Sequence, residues 1–175
     1  FEFRMMAWQF CLRDWLRPPI RILEGAGVRP GMTILDFGCG PGGFSLAAAQ
    51  LTGPLGFVYA VDIHPLAIRS VQRAAARKGI GSIKTILGSD MTAIAEASVD
   101  IALLYDVLHH LPQAVQTLRE ILRVLKPGGA LSVSDHHLVE PMLLAMVTNA
   151  GLFRFVDRER WTYRFEPAAA REGAL

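Results

Sequence analysis

Apolar residues fall along this chain in two alternating patterns. Short, nearly unbroken runs occur at residues 33–37, 57–62, 83–87, 99–105 and 130–134. Between them, apolar positions recur every three or four residues with polar residues filling the gaps. The first pattern predicts strands and the second predicts helices. Helices are expected over 43–51, 65–78 and 112–125, with a weak one near 93–96. The 112–125 stretch carries the clearest stripe, with Val115, Leu118, Ile121, Leu122 and Leu125 on one helical face. Gly79 ends the helix before it, and Lys126-Pro127-Gly128-Gly129 is expected to stop this one and turn the chain into the fifth strand.

Strands alternating with helices imply a parallel sheet with helices on both faces. Continuous apolar runs fit strands covered on both sides. After a helix over 140–150 the pattern changes. Phe153-Arg154-Phe155-Val156 and Trp161-Thr162-Tyr163-Arg164-Phe165 flank the charged turn Asp157-Arg158-Glu159-Arg160. Two such runs predict an antiparallel hairpin at the end of the sheet. At the other terminus, residues 1–23 hold aromatic and apolar residues at mixed spacing, Pro18-Pro19 interrupts them, and a short helix is expected over 19–26. The chain divides into an N-terminal helical cap over 1–30, an α/β domain over 31–167 and a tail over 168–175.

Composition narrows this picture. A chain of 175 residues suits one core, and 51% hydrophobic with 19% charged residues is the composition of a folded domain. The net charge of +2 and the scattered basic residues argue against a nucleic-acid partner. Cys11 and Cys39 form no metal-binding spacing and lie far apart, which points to free thiols and a reducing, cytoplasmic setting. No apolar run reaches the length of a membrane span, and no signal peptide is visible. The chain opens on Phe1 with no initiator Met, consistent with a preceding stretch. Both monomer and homodimer are open.

In an open α/β sheet, ligands bind at the carboxyl ends of the strands. An acid closes or follows each of the five runs: Asp36, Asp62, Asp90, Asp106 and Asp135. The first run breaks into glycines, and Gly38, Gly40 and Gly43 satisfy G-x-G-x-x-G, with Asp62 near the spacing of a ribose-binding acid. That pattern suits a nicotinamide or flavin. Yet Asp36 stands two residues before the first glycine, where a carboxylate would repel a pyrophosphate. It suits a cationic cofactor such as S-adenosylmethionine, whose ribose still calls for an acid after the second strand.

Ile34-Leu35-Asp36-Phe37-Gly38-Cys39-Gly40-Pro41-Gly42 resembles the first motif of class I S-adenosylmethionine-dependent methyltransferases. Val61-Asp62-Ile63-His64 is similar to their ribose motif and Gly88-Ser89-Asp90-Met91 to their adenine motif. Asp106-Val107-Leu108-His109-His110-Leu111 and Leu122-Arg123-Val124-Leu125-Lys126-Pro127-Gly128-Gly129 resemble segments of the ubiquinone/menaquinone-biosynthesis-like branch. The resemblance implies a Rossmann-like, doubly wound, seven-stranded sheet, mostly parallel, with the last strand antiparallel. It implies that Asp36 faces the methionine amino group and that Gly38, Gly40 and Gly42 let the backbone approach. It places Asp62 on the ribose, Ile63 and Met91 against adenine and Asp90 on its amine, with Tyr105 also in the cofactor site. S-adenosylhomocysteine would be the product.

Methyl transfer from a sulfonium is an in-line displacement that depends largely on positioning. A base is needed only where the acceptor must lose a proton. Asp106 and His109 are the candidate catalytic residues. His109, His110, His136 and His137 could suggest a metal, but adjacent residues on an extended strand point to opposite faces, so the four are not expected to converge. The expected acceptor is a small, possibly lipophilic molecule, because residues 1–23 and 142–146 are apolar. Leu104-Tyr105-Asp106-Val107 is not the N/D-P-P-Y motif of DNA-amino enzymes. Two alternatives stand beside this reading: a non-catalytic S-adenosylmethionine-binding partner subunit and a nicotinamide-dependent oxidoreductase.

Overall fold

A computed structural model describes residues 18–168. Residues 1–17, which hold most of the expected cap and Cys11, and nearly all of the 168–175 tail lie outside the described residues. The element order is α1 (Pro19–Gly25), β1 (Thr33–Phe37), α2 (Gly43–Thr52), β2 (Phe57–Asp62), α3 (Pro65–Arg77), β3 (Ile83–Leu87), β4 (Val99–Tyr105), a 3-10 turn (Leu108–His110), α4 (Ala114–Val124), β5 (Leu125–Ser134), α5 (Glu140–Thr148), β6 (Phe153–Arg158) and β7 (Tyr163–Pro167). The strands form one sheet in the order β3-β2-β1-β4-β5-β7-β6. β1 to β5 pair in parallel, while β7 runs antiparallel to both β5 and β6. This is the Rossmann-like α/β sheet expected, with the last strand reversed.

Period-two alternation along each strand sorts side chains to two cores. On β4, Ile101, Leu103 and Tyr105 join Ile34, Val58 and Ala48 beneath α1 and α2. Ala102 and Leu104 face the other way, with Leu35 and Phe37, toward Leu118, Ile121 and Val124 of α4 and Leu143 and Val147 of α5. Each fully buried Leu or Ile contributes roughly 1.5–3 kcal/mol of transfer free energy. α1 belongs to this body, since Leu23 is wholly buried among Ile34, Val58 and Leu103.

Two expectations change. Residues 93–96 form turns rather than a helix, because Met91 and Ile94 dive into the core and Arg123 takes both their carbonyl oxygens, at 2.9 and 3.1 Å. The Lys126–Gly129 segment is not a turn between α4 and β5. It runs within β5 as a bulge, where the register to β4 shifts between Val99 and Ile101. Lys126 anchors it on Asp100, whose Oδ2 also accepts from the Thr33 N–H at 2.7 Å.

Candidate active site

The parallel strands deliver their carboxyl ends to one edge of the sheet, and β1 and β4 lie side by side there although β2 and β3 separate them in the chain. A connection that leaves to both sides at this point opens a crevice. Asp36 shares the α2 side of β1 with Ile34 and is buried. Ser45, in the first turn of α2, donates to its Oδ2 at 2.5 Å. A buried Ser inside an apolar helix was the available signal for this partner, and sequence reasoning passed over it.

The glycine turn is tied down from below. The N–H groups of Gly38 and Cys39 both donate to the Val61 carbonyl, at 2.8 and 3.0 Å, and Gly40 N–H donates to Asp62 Oδ2 at 2.9 Å. Asp62 Oδ1 accepts from His64 N–H at 2.7 Å. Gly38 has φ +78 and no room for a side chain, since a Cβ would lie 2.1 Å from Val107 Cγ2. Gly40, at φ +52, has the opposite surroundings: nothing lies within 4 Å of where its Cβ would be. One glycine makes the turn's packing and the other its bare surface. Gly42 is the residue immediately before α2. Cys39 is buried and free, and burial, then the charges of Asp36 and Asp62, push its thiol up.

Beside the turn, the rim is apolar and exposed. Ile63 is 75% exposed and Leu87, at the neighbouring strand end, 59%. Leu87 was not anticipated from sequence. Asp90 is exposed, and both its oxygens engage Thr92, which holds its carboxyl below the usual range. Two expected cofactor residues have buried side chains. Met91 is 1% exposed, with its side chain in the core. Tyr105 is 6% exposed because alternation on β4 sends it under α2, edge-on to Phe44, where its hydroxyl meets Ser132 Oγ at 2.8 Å. Burial, with the nearby Asp36 charge, raises its phenol.

The ends of β4 and β5 are joined by two crossed pairs. His109 Nδ1 lies 2.8 Å from Asp135 Oδ2, and His136 Nδ1 lies 2.7 Å from Asp106 Oδ1. Asp135 is wholly buried at its side chain and also accepts the N–H groups of His109 and His137. Burial alone would raise it, but the His109 ring and these N–H donors outweigh burial and leave the carboxyl below its usual range. The four imidazoles lie side by side rather than on opposite faces, without closing around a common point. They form a row, His110–His109–His137–His136, with centroids 3.9, 4.3 and 4.0 Å apart. Both pairs of neighbours sit in turns, not on extended strand. Among the described residues no group of three or more ligands is arranged to hold a metal.

A lowered folded-state carboxyl stabilises the fold above its unfolded value, near 4, and that stabilisation is lost as pH falls through the folded value. Urea unfolding at pH 7 and pH 3 therefore should show a larger gap between wild type and Asp135→Asn at pH 7 than at pH 3. An equal gap at both would show that the Asp135 charge is not what the native state holds.

The residues fit a cationic nucleoside. Three N–H groups of the turn already have protein acceptors, which removes them as donors to a phosphate. Two carboxylates, a bare glycine and an apolar rim remain around the crevice.

Comparison with known proteins agrees. The methyltransferase domain family matches residues 29–162. An arsenite methyltransferase from Halobacterium salinarum is 32% identical over 111 residues, 63% of this chain and 28% of the relative. A ubiquinone/menaquinone biosynthesis C-methyltransferase, UbiE, from Hydrogenovibrio crunogenus is 32% identical over 148 residues, 83% of this chain and 57% of the relative. The chain thus spans less than two thirds of either curated relative. A methyltransferase from Aquifex aeolicus shares the fold, with a TM-score of 0.75 at 20% identity, covering 87% of this chain and 90% of that one. The buried acid at the mouth of the glycine turn, the acid of β2 and the 29–162 match converge: the chain belongs to the methyltransferase domain family, in the class I S-adenosylmethionine-dependent group with UbiE-like relatives.

Proposed function

We propose that this chain binds S-adenosylmethionine and methylates a small molecule whose acceptor atom loses a proton. The observation that carries the cofactor half is the glycine turn itself, with N–H groups engaged internally and the Asp36 and Asp62 carboxylates beside it. Bound S-adenosylmethionine supplies a methyl group on a cationic sulfur. Asp36 would meet the ammonium group, and Asp62, which keeps lone pairs beyond Gly40 and His64, would accept from ribose hydroxyls. Ile63 and Leu87 would cover adenine, and Asp90 would accept from its amine. Residues 31–167 form the proposed catalytic domain, with 1–30 as its cap, in a cytoplasmic setting that suits the free thiol of Cys39.

His109 is the proposed base, rather than Asp106, whose Oδ1 is committed to His136. Asp135 holds the Nδ1 proton of His109, which leaves the Nε2 lone pair to take the acceptor's proton. The buried carboxylate then stabilises the imidazolium, and partial exposure of His109 lets the proton leave to solvent. One relative is named for arsenite, and Cys39, the cysteine among the described residues, is buried. A phenol-, quinol- or amine-type acceptor suits a His–Asp base.

Labelled S-adenosylmethionine with a panel of small phenols, quinols and amines tests this, and label transfer is the expected result. Binding of NADH with none of S-adenosylhomocysteine would overturn the reading. His109→Ala should lower kcat by about 10²–10⁴-fold while leaving S-adenosylhomocysteine affinity unchanged. A kcat within twofold of wild type would remove His109 from the chemistry.

A further inference from the structure

The second of the crossed pairs is not used by this mechanism, and its carboxylate sits in an unusual place. Asp106 has φ +55, one of two non-glycine residues among those described with positive φ. It occupies the corner where β4 ends. Its own N–H donates to the Ser134 carbonyl at 2.7 Å, and its Oδ1 accepts from the His136 N–H at 3.2 Å and meets the His136 ring at 2.7 Å. The strain of a left-handed Asp persists only where surrounding contacts determine it. Here such contacts come from the neighbouring strand end, the Ser134 carbonyl on the Asp106 backbone and His136 on its side chain.

The next residue transmits the corner's conformation. Val107 seats its side chain on the bare Cα of Gly38, with no space between for even one added carbon. Gly38 in turn is fixed to Val61, and Gly40 to Asp62. A continuous packed path thus runs from His136 through Asp106 and Val107 to the glycine turn. Its outer end is open: the His136 side chain is 61% exposed and stacks on His137, in the imidazole row beside the base.

We propose that His136 is a positioning residue, which holds Asp106 left-handed and so seats Val107 against Gly38, setting cofactor affinity from the acceptor side of the site. The inference rests on the cofactor reading above for what binds at the turn, but not for the coupling itself. An acceptor that engages the His136 ring would draw on the same hydrogen bond. Acceptor and cofactor then influence each other's binding reciprocally.

Two measurements test it. In ligand-free protein, His136→Ala should shift the Gly38 amide and Val107 methyl resonances. Unmoved resonances overturn the proposal whatever the protein binds. By calorimetry, His136→Ala should weaken S-adenosylhomocysteine about five- to tenfold. His136→Asn, which keeps a donor where Nδ1 stood, should restore most of that. In an Asp106→Gly background the His136→Ala change should cost nothing further, since glycine takes positive φ without an anchor. An undiminished loss in that background would mean that His136 touches the ligand directly, and would overturn positioning through Asp106. A wild-type protein that binds no S-adenosylhomocysteine overturns the cofactor reading and the affinity claim, while the resonance shifts still decide the coupling.

Discussion

Asp62→Ala is expected to weaken S-adenosylhomocysteine binding by about 100- to 1000-fold, or about 3–4 kcal/mol. Two losses combine. The ribose hydroxyls lose a charged acceptor, and hydrogen bonds to charged groups contribute about 1.5–3 kcal/mol each. Gly40 N–H also loses its 2.9 Å partner, and the bare face of the turn is no longer held. Asp62→Asn separates the two, because an amide oxygen still accepts from Gly40 but carries no charge. Its affinity should fall between wild type and Asp62→Ala. Unchanged calorimetric affinity in Asp62→Ala would remove Asp62 from the site.

Gly38→Ala should cost about 3 kcal/mol of stability, combining overpacking with a side chain at positive φ. For a chain of this size that is a fall in Tm of about 6–12 °C. The added Cβ would meet Val107 Cγ2 at 2.1 Å, and neither the strand end nor the turn has slack. Val107→Ala in the same chain should recover part of the loss by making room. A Tm within about 2 °C of wild type would show that the turn shifts without cost. Recovery without a return of cofactor binding would show that the valine contact itself shapes the turn.

The parts of the site that were legible in sequence are local. Asp36, the glycines and Asp62 are read from a strand, a break and the next strand end, and each sits on a backbone its own neighbours dictate. The crossed pairs were not legible. His109 and Asp135 are 26 residues apart, Asp106 and His136 are 30, and only the pairing of β4 with β5 fixes who meets whom. The burial of Met91 and Tyr105 was not legible for a different reason. Being near a strand end says nothing about which side of the sheet a side chain takes, and alternation from Ile101 and Leu103 would have sent Tyr105 inward. The imidazole row was not legible because both histidine pairs sit in turns, where alternation along a strand does not apply. Glycines and Pro127 in β5 read as a stop signal, whereas a bulge uses the same residues while keeping the strand.

The strand order has a consequence for how this molecule comes into being. β1 pairs with β4 across 67 residues, and the glycine turn acquires its valine lid only from the segment that follows β4. Closing a loop of that length is slow and is repaid only when the distant partner arrives. During synthesis Asp36, the glycines and the β2 residues that tie the turn down emerge first, yet the Val107 contact waits for β4 and the segment after it. The order in which the chain is made and the order in which the crevice closes are therefore different. Half-finished chains should carry the motif without the pocket, and ligand capture marks the completion of folding rather than its start.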